Sequence, residues 1–306
     1  MRSFYPLLFC LFAATAHAAD FAAASLETGL GARGTGIGAF IATVDDASAS
    51  YWNPAGLTRM RGKAVQTSLQ SLSQGRLQNS ASFALNPRGD MGFGFAWSRA
   101  SVDGIEGRTS SGQFTGPVED GANAFIVAVG RTVGPRLAIG FAMKIFSQTI
   151  DIPFSPAATA HGSGFDIGAQ YRVSEHTYLG AGVRNLGAKL AWKVRLANQQ
   201  SSATEDQLPR VLRLGLAHQL LAGLTLATEF RSGDEQSTYL GAEWVLSPLL
   251  TLRSGLNQLG SEDGSQLSVG LTLRPMRVET LQFHYAYLAD PLDAGGRTII
   301  GLALAF

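Results

Sequence analysis

The feature that most constrains this chain is an alternation of large and small side chains that recurs along most of its length. In the stretch MGFGFAWSR, the large residues Met91, Phe93, Phe95 and Trp97 alternate with glycine, alanine and serine. The same pattern returns in RLAIGFAMKIF, VLRLGLAH, SQLSVGLTLR and LQFHYAY. Successive side chains of a strand point to opposite faces, so each stretch predicts a β-strand with one apolar face.

The alternating segments are evenly distributed and their connections differ in length. About fourteen of them begin near residues 63, 78, 91, 121, 136, 162, 177, 209, 223, 237, 250, 265, 278 and 297. Short links such as NPRGD, VGP, SEH and LAG alternate with longer ones, of which residues 101–120 and 186–208 are the longest. Short turns at one end and longer loops at the other are typical of outer-membrane β-barrels, and an even strand count puts both ends on the periplasmic side.

The energetics of a bilayer explain why the pattern favours a closed barrel. In hydrocarbon every backbone N–H and C=O needs a partner, and only helices or a closed sheet supply one throughout. The sequence therefore predicts an all-β fold, a 14-stranded antiparallel transmembrane β-barrel formed by residues 63–306. A soluble β-sandwich also alternates, but it packs its large faces together in one core. The targeting segment and the last strand favour the membrane barrel.

Composition argues against an ordinary soluble enzyme and against a nucleic-acid-binding protein. Charged residues are 15% of the chain, against about 25% in typical soluble domains, and there are 36 glycines. The formal net charge is +1, so no nucleic-acid partner is expected.

The N-terminus has the features of a secretory signal peptide. Arg2 is followed by the short apolar core LLFCLFAATA, and Ala16-His17-Ala18 resembles a small-x-small cleavage site. We therefore expect residues 1–18 to be removed. The removed part contains Cys10, the only cysteine, so the mature chain is expected to have neither a disulfide nor a cysteine-ligated metal.

The last ten residues, RTIIGLALAF, form an alternating strand that ends on Phe306. A terminal aromatic residue on such a strand resembles the signal that the barrel-assembly machinery reads on outer-membrane proteins. We expect this strand to close the barrel against the first one.

Residues 19–62 lack the alternation and form a separate segment before the barrel. Asp45 and Asp46 are suited to cap a short helix through ASASYW, and Asn53-Pro54 to end that helix in a turn. GLGARG at residues 29–34 matches the dinucleotide string G-x-G-x-x-G. It follows no strand and opens no βαβ unit, so close packing of glycine is expected there and no cofactor.

The N-terminal stretch also carries a family resemblance. GARGTGIGAFIATVDDASASYWNPAGL resembles the plug of FadL-type channels and of PorV/PorQ-type outer-membrane proteins, both of which are fourteen-stranded barrels. The resemblance implies that residues 19–62 fold as an N-terminal plug inside the lumen. The matching positions are Asp45, Asp46, Asn53, Pro54, Ala55, Gly56 and Leu57. Strand motifs such as LPRVLRLGLAHQL and FHYAYLADPLDAGGRTIIGLALAF resemble the PorV/PorQ group, whereas the outer loops are shorter than those of FadL-type proteins.

The resemblance leaves two functional classes open. The favoured one is a PorV/PorQ-like barrel that contacts exported proteins or a surface or secretion complex, as in type IX secretion. The alternative is a FadL-like passive transporter of hydrophobic small molecules such as long-chain fatty acids. A transporter needs an apolar pocket between plug and wall and a kinked strand or a movable plug, whereas an interaction barrel can be packed shut.

Charges on the small faces of the strands are the remaining candidates. Arg213, Glu229, Glu243 and Arg253 fall on successive strands and face inward, where an unpaired charge is costly. They predict either a salt-bridged ladder that holds the plug to the wall or a polar conduction path. The scattered histidines have no metal-ligand spacing and no catalytic set can be identified, so neither a metal nor enzyme activity is expected. The expected partners are outer-membrane lipid and the assembly machinery.

Overall fold

The fold is described from a computed structural model, which covers residues 28–153, 155–195, 201–233, 235–261, 264–275, 280–290 and 295–306. The predicted signal peptide, Cys10 and the first nine residues of the predicted plug lie outside these described residues. Fifteen strands occupy the described chain after residue 61.

The strands follow one another in a single antiparallel sheet. Their bounds are β1 Gly62–Ser71, β2 Arg76–Asn86, β3 Met91–Arg108, β4 Phe114–Val133, β5 Leu137–Asp151, β6 Ala158–Arg172, β7 Thr177–Arg195, β8 Ser201–Gln207, β9 Val211–Leu221, β10 Leu224–Ser232, β11 Gln236–Ser247, β12 Leu250–Leu259, β13 Gln266–Leu273, β14 Leu281–Leu288 and β15 Arg297–Ala305. Each pairs with its neighbours in sequence, except that β8 pairs only with the end of β7, and β9 returns to the start of β7. Fourteen strands therefore form the wall.

The sheet closes where its first and last strands meet. β1 pairs antiparallel with β15, and Thr67 lies opposite Leu302. Lys63 and Phe306 exchange two backbone hydrogen bonds, of 2.7 and 2.8 Å. β6 pairs with β7, which joins the two halves of the sheet. The predicted fourteen-stranded antiparallel barrel is confirmed, with most strands beginning within about four residues of the predicted positions.

The alternation sorts side chains between the two sides of the wall. In β3 the side chains of Phe93 and Phe95 are 46% and 42% exposed, whereas Gly92, Gly94 and Ala96 are buried. Large apolar residues are exposed in the same way on nearly every strand. Such a surface is unfavourable in water and favourable against lipid chains, so the protein is a transmembrane barrel.

Two predicted loops are instead β-structure that continues beyond the alternating segments. β3 runs to Arg108 and β4 begins at Phe114, so most of the predicted loop 101–120 is a paired hairpin. β7 runs to Arg195 and pairs with β8, so much of the predicted loop 186–208 is a second hairpin. The large–small pattern arises where one side of a strand faces lipid. It is absent from these extensions, although their backbones stay paired.

The described residues 28–61, here called the N-terminal segment, fold into three short helices. They are α1 (Ala32–Ile37), α2 (Ala49–Trp52) and a 3₁₀ helix (Pro54–Thr58). None of the helices in the described residues is long and apolar enough to cross a membrane. The assignment of the whole stretch 19–62 as a plug stays a prediction, because its first part is not described.

The N-terminal segment packs against the small, inward faces of the strands. α1 contacts β11 to β15, and the 3₁₀ helix contacts β2 to β6. Phe40, Val44 and Leu57 are fully buried, and Trp52 packs edge-to-face on Phe40 and Tyr51. The segment therefore has an apolar core of its own, surrounded by the wall.

Candidate functional site

The turn Asn53-Pro54-Ala55-Gly56 packs directly against the inner face of the wall. Asn53 Oδ1 accepts from the Ala55 backbone N–H at 3.2 Å, and Asn53 Nδ2 donates to the carbonyls of Ile41 (3.0 Å) and Ala169 (3.1 Å). Proline suits the first position of the helix that follows, because no N–H is needed there. The predicted turn thus ends α2, and its asparagine joins segment and wall.

Glycines of β5 and β6 allow this close approach. A β-carbon at Gly140 would overlap the backbone of Pro54 and Ala55, and one at Gly168 would overlap Asn53 Oδ1. Only glycine admits a neighbouring backbone at that distance.

Asp45 and Asp46 form ion pairs and do not cap the helix in the predicted way. The N-cap of α2 is Ser48, and Asp46 Oδ1 instead accepts from the N–H and hydroxyl of Ser48 at 2.9 and 2.5 Å. Arg33 Nη1 lies 2.5 Å from Asp45 and 3.1 Å from Asp46. The predicted cap is wrong because α2 begins at Ala49, so Ser48 occupies the N-cap position and both carboxylates precede it.

Arg33 also connects the segment to two of the predicted ladder residues. It makes a bidentate contact with Glu243, at 3.0 and 3.1 Å, and Arg253 approaches the same carboxylate at 2.6 Å. Glu243 and Arg253 are direct partners in the β11–β12 register. Arg33 lies within the GLGARG string, and sequence reasoning missed it because only its glycines were considered.

The other two ladder residues form a second cluster, around Glu229. Arg213 Nη2 and Arg231 Nε lie 2.6 and 2.7 Å from Glu229 Oε1. Glu229 Oε2 accepts from the backbone N–H groups of Phe40 (2.8 Å) and Ile41 (2.9 Å). Two guanidinium groups and two backbone donors thus satisfy one buried carboxylate, as burial of a charge requires.

The four ladder residues therefore act through the N-terminal segment. The structure brings them into two clusters, one including Arg33 and the other including the backbone of residues 40 and 41, rather than into one continuous row. The cluster around Glu229 joins the segment to β9 and β10, and the cluster around Glu243 joins it to β11 and β12. This arrangement can hold the segment at a fixed position.

A third buried cluster, around Asp166, lies on β5, β6 and β7. Lys144 Nζ is 2.8 Å from Asp166 and donates to Asn185 Oδ1 at 2.9 Å, and Arg184 Nε lies 3.7 Å from Asp166. The sequence pattern places Lys144, Asp166 and Arg184 on inward faces, but it does not show that they form one cluster. A sequence signal existed, since Lys144 continues the small face formed by Ala138, Gly140 and Ala142.

The Asp166 cluster coincides with an interruption of the β6–β7 ladder. The register shifts between Ser163 and Phe165 and again between Phe165 and Ile167. The Asn185 N–H donates to the Asp166 carboxylate at 2.9 Å. Asn185 and Gly187 have φ of 60° and 63°, as expected where extra residues bulge out of a strand.

An apolar cluster lies at the loop end of the barrel, beside this interruption. It consists of Ala122, Ala124, Phe146, Ala160, Ala188, Leu190 and Leu208, with Trp192 packed against it. Leu208 comes from the connection that follows β8, and Trp192 Nε1 donates to Asp206 at 2.7 Å. The hairpin β7–β8 therefore contributes apolar side chains to this end of the lumen.

Phe306 follows β15 directly. Its side chain is 64% exposed, and its backbone pairs with Lys63 as described above. His284, on the inner face, shares a hydrogen bond of 2.7 Å with Thr272 Oγ1. Within the described residues, no group of three or more His, Cys, Asp or Glu side chains is arranged to hold a metal ion.

Comparison with known proteins identifies the fold. No protein-family model and no curated protein matches the chain. Among solved structures, the P. putida toluene transporter TodX has a TM-score of 0.66 at 12% identity, covering 91% of this chain and 99% of that one. The CymD monoaromatic hydrocarbon channel has a TM-score of 0.64 at 13% identity, covering 91% and 98%. A Pseudomonas aeruginosa FadL homologue has 0.62 at 13%, covering 90% and 95%.

These similarities extend over nearly the full length of both partners. The chain is therefore a closed, fourteen-stranded antiparallel barrel of the FadL/TodX-like type. At 12–13% identity the likeness defines the fold alone.

Proposed function

We propose that this protein is a passive outer-membrane channel for small hydrophobic compounds. Three structures with the same fold are described as a toluene transporter, a monoaromatic hydrocarbon channel and a FadL homologue. They support the transporter interpretation over the PorV/PorQ-like one. Neither the structures compared above nor the contacts within the barrel favour a role in protein secretion. The apolar outer wall supports a membrane location, and Phe306 is proposed as the assembly signal.

The observation that carries this proposal is the apolar cluster at the loop end of the lumen. The lumen of a water-filled porin is lined with polar side chains. Here Phe146, Leu190 and Leu208 are buried together at the loop end, supplied partly by the β7–β8 hairpin. We propose that the β7–β8 hairpin moves outward and that a hydrophobic molecule then contacts these side chains, which otherwise contact one another.

The interrupted β6–β7 ladder supports a route that leads away from this cluster. A continuous ladder resists separation because each backbone pair must be broken, whereas bulged residues lack ladder partners. The register shifts occur twice within five residues of β6, directly beside the cluster. In this proposal the substrate leaves the lumen at this point, while the N-terminal segment stays held by its ion pairs.

Uptake by intact cells tests the function. The full-length protein is produced in a Gram-negative host that lacks its own channel for hydrophobic compounds, and uptake of toluene, a long-chain fatty acid and sucrose is compared with empty-vector cells. We expect faster uptake of at least one hydrophobic probe and no change for sucrose. Equal gains for sucrose would indicate a general porin, and no gain for any probe would contradict the proposal.

A variant pair connects uptake to the apolar cluster. Leu190→Asn removes an apolar side chain that the substrate is proposed to contact. Burial of such a side chain contributes about 1.5–3 kcal/mol. Loss of this contact should therefore slow uptake by roughly tenfold or more. Ser147→Asn, next to Phe146 on β5 but outside the cluster, is the matched control and should leave uptake unchanged. Heat-modifiable mobility on a gel verifies that each variant is a folded barrel.

A further inference from the structure

A small cavity at the turn end of the barrel has a distinctive set of charges. It encloses about 210 Å³ between the 3₁₀ helix and the ends of β4 to β7. Its lining is Thr58, Arg59, Thr132, Pro135, Arg136, Leu137, Ala138, Gln170, Arg172 and Tyr178. Three of these residues are arginines and none is acidic, so the cavity is a concentration of positive charge.

Two of the three arginines are placed opposite each other by the sheet. Leu137 pairs with Tyr171 in the β5–β6 ladder, and the next residues outward are Arg136 and Arg172, whose backbones share a hydrogen bond of 2.8 Å. Like charges directly opposite on neighbouring strands destabilise a sheet. A bound anion that contacts both side chains would offset that repulsion.

Two of the three guanidinium groups are already oriented. Arg172 Nη2 donates to the Pro135 carbonyl at 3.0 Å. Arg59 donates to the Ala42 carbonyl at 3.1 Å and lies over the Tyr178 ring at 4.2 Å. Its approach to Asp45 is loose, at 3.8 Å. Guanidinium groups held in this way match the geometry of carboxylate and phosphate oxygens without much loss of side-chain freedom.

Gln170 lines the inner side of the cavity and is held by the N-terminal segment. It is 3% exposed and donates through Nε2 to the carbonyls of Ile41 and Val44, which fixes the orientation of its amide. Its Oε1 accepts no hydrogen bond from any described residue. The amide is therefore a fixed, neutral part of the lining beside the arginines.

We infer that this cavity is an oxyanion-binding site at the turn-end mouth of the lumen, which takes a single carboxylate or phosphate group. The cavity is smaller than the roughly 300–1,000 Å³ of sites that enclose whole drug-sized ligands. It therefore fits a free small oxyanion, or the head group of an amphipathic acid whose chain lies outside it. The inference goes beyond conduction of hydrophobic compounds, because binding at this site does not require transport.

Ligand-observed NMR in non-ionic detergent micelles tests the site with four probes. They are acetate, methylphosphonate, octanoate and octanol, each titrated into the full-length barrel. Binding of acetate or methylphosphonate would identify a free small oxyanion as sufficient. Binding of octanoate without the two small anions would identify the head group of an amphipathic acid. Octanol carries no charge, and it should neither bind in the cavity nor compete.

Variants connect the signal to the three arginines. Replacing Arg136→Gln and Arg172→Gln together should weaken anion binding by roughly tenfold or more, because charge-assisted hydrogen bonds are lost. Arg88→Gln is the matched control, since this exposed arginine lies in the β2–β3 turn at the same end but outside the lining. If the double variant fails to fold, Arg136→Gln alone is used, because its side chain donates no hydrogen bond to a described residue.

Several outcomes would overturn the inference. They are the absence of binding by all three anions, equal competition by octanol, or an equal loss of binding in the Arg88→Gln variant. Toluene is neutral and its uptake is measured separately in cells. If the oxyanion proposal is wrong, the NMR titrations show no anion binding or binding that does not depend on the arginines. If the channel proposal is wrong, cells show no gain in hydrocarbon uptake.

Discussion

Glu229 shows at the scale of a single residue how the barrel accommodates charge. Its side chain is almost fully buried, and it binds two arginines and two backbone N–H groups of the N-terminal segment. Sequence analysis identified Glu229 and Arg213 as inward-facing, because period-two alternation fixes the face of a residue. It did not identify the segment's backbone as a partner, since nothing local in the sequence specifies a contact across 189 positions.

Replacing this carboxylate should be costly. In Glu229→Gln, the buried guanidinium group of Arg213 and the partly buried one of Arg231 lose their anion, and we expect the free energy of unfolding to fall by about 3–5 kcal/mol. Urea unfolding of the refolded barrel in micelles measures the change. Glu205→Gln is the control, because the Glu205–Lys189 pair is about half exposed and such pairs contribute at most about 1 kcal/mol. Equal losses in the two variants would contradict the role assigned to Glu229.

At the scale of elements, the strands were more predictable than the N-terminal segment. A strand in a lipid-facing wall carries its pattern within ten residues, so its position is readable without knowledge of its neighbours. The hairpin extensions of β3, β4 and β7 lack that pattern, because their two sides face similar surroundings. The segment's helices are too short to have a clear period, and Arg33 and Trp52 are positioned by contacts with distant strands.

The fit between segment and wall is testable at one glycine of β5. A methyl group at Gly140 would overlap the Pro54–Ala55 backbone, which cannot move as a flexible side chain does. Gly140→Ala should therefore lower the free energy of unfolding by about 1–3 kcal/mol, and make the segment more accessible to trypsin at Arg59 and Arg61.

The control for this variant is Gly36→Ala in α1. There the added methyl group meets Ala286 at an ordinary contact distance of 3.4 Å, and alanine favours the helix. Protection from trypsin should match the unaltered protein. If both variants are cleaved at the same rate as the unaltered protein, then the segment is not held by close packing on β5.

At the scale of the whole molecule, the β6–β7 ladder shifts register twice beside the apolar cluster, and this leads to a direct test of the proposed route. Register shifts also occur in the β3–β4, β9–β10 and β11–β12 ladders. Ser163 and Lys189 face each other on the outer side at the edge of the interruption. Facing residues of antiparallel strands lie within the Cα separation that a disulfide spans. The one native cysteine, Cys10, lies in the predicted signal peptide, so an engineered pair is expected to be the only one in the mature chain.

The variant Ser163→Cys/Lys189→Cys should couple uptake to the redox state of that bond. Oxidation fastens β6 to β7, so toluene uptake is expected to fall toward the empty-vector rate and to recover when a membrane-permeant reductant is added. The control pair Val127→Cys/Met143→Cys crosses the uninterrupted β4–β5 ladder, also on the outer side, and its oxidation should leave uptake unchanged. Unchanged uptake in the oxidised first pair would exclude separation of β6 and β7 as the route. A substrate would then have to pass the N-terminal segment, where the ion pairs of Arg33 and Glu229 oppose its movement.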